Sequence, residues 1–89
     1  MASRKQTYYA TRGGPGRVTR WELLEATAAR AAQFEAWRRF GDPDTGATVH
    51  DWVRVAVAGP DGAPVPVYHR AAAPGGRWRR PDRPPHASR

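Results

Sequence analysis

From residue 49 to residue 57, Val49, Val53, Val55 and Val57 alternate with His50, Trp52, Arg54 and Ala56. A period of two marks a strand with one buried and one exposed face. The next residues, Gly59-Pro60-Asp61-Gly62, have the chemistry of a tight turn, with proline at its first central position and Gly62 suited to a left-handed bulge. A three-residue turn pairs Gly59 with Ala63, placing Val57 opposite Val65 and Val55 opposite Val67. A two-residue loop would set the valines against Pro64 and Pro66. These prolines have no N–H to give a neighbour, so the second strand is an edge. The hairpin thus fixes which side chains share a face before anything else in the chain is considered.

The second organising signal is a helix expected over residues 20–40. Thr19-Arg20-Trp21-Glu22 has the capping-box spacing, with Val18 and Leu23 at the staple positions. Glu22 and Glu25 would lie in the first turn, and Arg38 and Arg39 in the last, each favourable to the helix dipole. Gly41 is expected as the left-handed residue after the helix, and Pro43 prevents its resumption. On this helix Leu23, Phe34 and Trp37 cluster, with Phe40 at the margin, while Trp21 points elsewhere and needs a second surface.

A hairpin and one helix are marginal in water. The segment Lys5 to Arg12 alternates weakly and is expected to add a strand, with a homodimer as the alternative or additional source of buried surface. The fold class is therefore α+β: a small β-α-β-β domain with one long helix on a short antiparallel sheet, between basic flexible termini. Residues 1–16 form the N-terminal segment, 17–71 the domain, and 72–89 a Pro/Gly/Arg-rich disordered tail, in which Arg77-Trp78-Arg79-Arg80 has the makings of a short strand.

The formal charge of +7 is concentrated at the ends. Arg4, Lys5, Arg12, Arg17 and Arg20 face no acid before residue 21, and Arg77, Arg79, Arg80, Arg83 and Arg89 face only Asp82 beyond residue 70. Such termini suit phosphate or another acidic surface. GC-rich coding explains arginine in place of lysine, but it does not explain the scarcity of acids in the same segments. With no cysteine, disulfides and thiolate chemistry are excluded. No apolar run is long enough to span a membrane, and Met1 to Gln6 lead into no secretory core, so a cytoplasmic location is expected.

In the expected register, Arg54 lies opposite Tyr68 and Trp52 opposite Arg70 on the face away from the valines. An aromatic and arginine face suits single-stranded DNA or RNA, through stacking and phosphate contact. The expected nucleic-acid residues are Trp52, Arg54, Tyr68, Arg70, Arg77, Trp78, Arg79, Arg80, Arg4, Lys5 and Arg12. The same pairs also serve as cation–π contacts that merely stabilise a hairpin. A protein-interaction module is the alternative, as a homodimer or docked to an acidic partner through Leu23, Phe34, Trp37 and Phe40. A small ribonuclease using Tyr68, Arg54, Arg70 and His50 is a third reading.

No catalytic residue, metal or cofactor is expected. Ser3 and Ser88 lie in the termini, and the histidines lack ligand spacing. Asp42, Asp44 and Gly46 resemble the start of a calcium loop, but Ala47 and Val53 stand where that loop needs glycine and glutamate. Gly13-Gly14-Pro15-Gly16 lacks the lysine of a phosphate-binding loop. No second helix exists to build a helix-turn-helix.

Overall fold

The computed structural model describes residues 6–15, 17–18, 20–73 and 75–81. Its strands are β1 (Tyr8–Gly14), β2 (Arg17–Val18), β3 (Glu22–Leu23), β4 (Trp52–Ala58) and β5 (Pro64–Ala71), and its helix is α1 (Ala29–Ala36). The sheet is antiparallel in the order β2-β1-β4-β5, with β3 also on β1. Because β4 occupies one edge of β1 from Tyr8 to Gly13, β2 and β3 share the other. The strand expected near residues 5–12 is therefore central, and the α+β class holds.

The core lies between α1 and one sheet face. Tyr8, Ala10, Leu24, Ala32, Ala36, Val53 and Val55 form it. Ala32 and Ala36 stand one turn apart on the helix, and their small side chains let its backbone approach the valines of β4 closely. Val53 and Val55 are the largest fully buried side chains, so much of the stabilisation rests on a few methyl groups. Partly buried Trp37, Phe40, Val57, Val67, Tyr68 and Trp78 pack around them.

The helix is shorter than its sequence signals suggest. α1 has eight residues and runs into a five-residue π-helical turn, Trp37–Gly41. Thr19 lies outside the described residues, but Glu22 and Leu23 pair with Ala10 and Tyr9 instead of opening a helix. The Leu24 N–H also donates to the Tyr8 carbonyl at 2.9 Å. The second edge of β1 supplies strand partners here, and that tertiary pairing overrides local propensity. The helix begins instead after Ala28, which makes no side-chain cap. Glu35 ties the preceding loop down: its carboxylate accepts the Ala26 N–H at 2.9 Å and meets Arg39 at 2.7 Å.

Gly41 is not left-handed; the positive-φ glycines among the described residues are Gly46, Gly62 and Gly75. The Asp42 N–H donates to the Trp37 carbonyl at 3.0 Å, closing the π turn. A Cβ at Gly41 would overlap the Trp37 ring, so this glycine serves close packing instead of a reversal of handedness.

The hairpin turn forms as its sequence indicates. The Gly59 N–H donates to the Ala63 carbonyl at 2.8 Å, and Val57 faces Val65. Beyond Pro66 the register shifts: Ala56 faces Pro66, whereas Val55 faces Tyr68, leaving Val67 as the extra residue of a bulge. The expected pairs Val55–Val67, Arg54–Tyr68 and Trp52–Arg70 are therefore replaced by Val55–Tyr68, Arg54–His69 and Trp52–Ala71. Pro66 cannot donate to the ladder, and the bulge is how the strand resumes bonding after it. Every side chain from Tyr68 onward consequently changes face.

Candidate functional site

With the bulge in place, β4 and β5 bring Trp52, Arg54 and His69 together on the face away from α1. The Arg54 Nε donates to His69 Nδ1 at 3.3 Å. The Arg54 guanidinium lies 4.2 Å from the Trp52 ring centroid, and the Trp52 and His69 rings are 5.7 Å apart. On the neighbouring strand Gly13 faces Trp52, and a Cβ there would overlap the indole. Trp52 is thus hemmed in by Gly13, Arg54 and His69. A nucleobase would have to displace Arg54 to stack on its covered side.

Residues 77–81 run back along β5. Arg79 bridges His69 in the antiparallel sense, through backbone bonds of 2.7 and 2.8 Å. Two shallow hollows flank this bridge. One, of about 440 Å³, is lined by Arg54, His69, Arg79, Arg80 and Pro81. The other, of about 400 Å³, is lined by His69, Ala71, Gly75, Gly76, Arg77 and Arg79. They share His69 and Arg79, and among the described residues neither lining includes a carboxylate. Arg77, Arg79 and Arg80 are exposed. Guanidinium groups present donors, the complement of phosphate or carboxylate oxygens.

The remaining expected residues go elsewhere. Arg4 and Lys5 lie outside the described residues. Arg12 faces the helix side, where its Nη1 donates to the Phe40 and Thr45 carbonyls at 3.1 Å each. It caps the end of the helix instead of presenting its charge to solvent. Tyr68 and Arg70 lie on the helix face, opposite Val55 and Val53. The Arg70 guanidinium stacks 3.7 Å from the Trp37 ring centroid, and burial lowers its pKa from the usual arginine value. Trp78 packs against the core.

The ribonuclease constellation is divided. Arg54 is on one face, Tyr68 and Arg70 are on the other, and His50 is exposed in the turn before β4. The apolar surface is divided too. Trp37 and Phe40 pack on the core, while Leu23 and Phe34 are 60% and 63% exposed. With β3 outside the helix, Leu23 no longer shares its phase.

His69, at the centre of the site, is absent from the expected set. A signal for it does exist, because Pro66 in a strand marks a place where a bulge inverts the facing of the residues beyond it. Among the described residues no three His, Cys, Asp or Glu converge on a metal-sized site, and no helix is long and apolar enough to cross a membrane. The chain matches no protein-family model, no curated protein and no solved structure.

Proposed function

We propose that the protein is a nucleic-acid-binding accessory protein that holds the phosphate backbone of a single strand, largely without regard to sequence. The observation that carries this reading is the presence of Arg54, Arg77, Arg79 and Arg80 along two hollows beside His69, whose linings contain no acid among the described residues. Guanidinium groups contact phosphate and release its counterions. The covered ring of Trp52 argues against base stacking as the main source of affinity. Its part is to support Arg54, whose guanidinium it underlies.

Anisotropy titrations of single-stranded DNA and RNA against salt test the proposal. Engagement of about four phosphates gives a slope near −3 for log affinity against log salt. Homopolymers of different bases should bind within a few-fold of one another. Absence of binding at low salt, or a flat salt dependence, removes the proposal.

A second reading, a protein-interaction module, has support from exposed Phe34 and Leu23. Phe34, Glu25, Glu35, Arg38 and Arg39 line a hollow of about 490 Å³, and Arg39 reaches the Leu23 carbonyl at 3.4 Å. Sedimentation of the wild type and of Phe34→Glu tests the homodimer form. A wild type that is monomeric throughout its concentration range excludes it.

A further inference from the structure

Three of the four arginines around His69 ride on a strap, residues 77–81, that reaches the sheet only after the chain turns at Gly75 and Gly76. Gly75 has a φ of 80°, a conformation that glycine adopts without steric cost. The strap meets β5 through one antiparallel bridge, in which the Arg79 N–H donates to the His69 carbonyl and the His69 N–H donates back. A single bridge is a weak fastening in water, and three neighbouring guanidinium groups repel one another. The Arg80 guanidinium adds a contact, 5.8 Å from the Tyr68 ring centroid, and Trp78 adds a larger one.

Alternation along the strap supplies it. Arg77 and Arg79 line the hollows, and Trp78 turns to the opposite side, half-buried against the core. Its ring lies 5.9 Å from the Arg70 guanidinium, which itself lies 3.7 Å from the Trp37 ring. The Arg70 Nε is buried with no hydrogen-bond partner, and two indole rings lie against its guanidinium. The stack joins the π turn, β5 and the strap.

We infer that Trp78 is a positioning residue for phosphate binding: seated on the Arg70–Trp37 stack, it holds the strap so that Arg77 and Arg79 flank His69 and Arg80 lines the adjoining hollow. This rests on the reading of the hollows as a single-strand site. Anchored arginines lose less freedom on binding than arginines on a loose chain. Phosphate also relieves their mutual repulsion, so strap docking and ligand binding reinforce each other as one coupled equilibrium.

The test uses an oligothymidylate of about 12 nucleotides, within the span that small single-strand sites cover, with the wild type, Trp78→Ala, Trp78→Phe and Gly75→Val. None of these changes alters the charge. Trp78→Ala is expected to weaken binding by about tenfold and Trp78→Phe to recover most of it. Gly75→Val strains the turn, where a Cβ has no described neighbour within 4 Å, and should weaken binding as Trp78→Ala does. Hydrogen exchange should show the His69 and Arg79 amides gaining protection when the oligonucleotide binds the wild type. The Val53 and Val55 amides report the core; if Trp78→Ala exposes them, Gly75→Val decides. Binding by both variants within about twofold of wild type overturns the inference, whether or not the strap amides exchange. A wild type that does not bind the oligonucleotide removes the nucleic-acid reading itself, which is a different result.

Discussion

Arg12 is an instance of a basic residue whose charge is used internally. Its Nη1 also donates to the Thr45 hydroxyl, at 3.2 Å, in addition to the Phe40 and Thr45 carbonyls. Arg12→Ala should cost about 2–3 kcal/mol in urea unfolding, because a charged donor leaves part-buried acceptors behind. Oligonucleotide affinity of the folded protein should stay within about twofold, since the hollows lose nothing. A large loss of affinity with unchanged stability would reverse the assignment. Tyr8 gives a second residue-scale expectation. Burial, with a smaller effect from Tyr68, raises its phenol above the ordinary 10.0. The unfolded chain ionises first, so between the two values the folded state holds more protons and stability falls as pH rises. The contribution is fully present below about pH 10 and is lost as pH rises through the native value. Tyr8→Phe should flatten this alkaline limb in denaturant titrations; an unchanged limb would place its origin elsewhere.

At the scale of elements, α1 starts without a cap. Ala28 is extended, with φ −127° and ψ 150°, and its side chain gives the first turn no acceptor. Ala28→Asp should stabilise the protein by about 1 kcal/mol in urea unfolding, through a cap bond and a favourable charge at the helix start. No gain would mean that the loop leading into α1 cannot hold the cap geometry. The absent cap also shows where sequence signals carry weight and where they fail. The hairpin is legible because its period and turn chemistry are local: Gly62 takes a φ of 87°, and Val57 meets Val65. The helix start is not, because Glu22 and Leu23 respond to a strand edge of β1 that no nearby residue announces. The site was legible only in part for a similar reason. Arg54, Arg77, Arg79 and Arg80 stand out by composition, yet their convergence depends on one extra residue, Val67, in β5. That bulge brings His69 to Arg54 and sends Tyr68 and Arg70 to the core side.

On the scale of the whole molecule, the net charge of +7 does not identify the working surface, because cations of the same type serve different ends. Arg12 holds the end of the helix, Arg39 pairs with Glu35, and Arg70 is held between aromatic rings. Arg30 and Arg38 are exposed on the helical layer, with Arg38 lying 5.6 Å from the Phe34 ring centroid. Arg77 and Arg79 flank His69 across the sheet, and Arg80 lines the adjoining hollow with its guanidinium 5.8 Å from the Tyr68 ring centroid. If net charge alone drove binding, removing any exposed arginine would have the same effect. If the arrangement drives it, position decides. Each phosphate contact on a single strand adds about 0.7 to the steepness of log affinity against log salt. Arg77→Gln, Arg79→Gln and Arg80→Gln together should therefore flatten that slope by about 2 units. Arg30→Gln with Arg38→Gln should leave it unchanged and shift affinity only through the weaker long-range field, an effect that fades beyond the screening length of about 8 Å at physiological salt. Equal flattening per charge removed from the two sets would show that the protein binds as a diffuse polycation, and the hollows around His69 would then have no special part in it.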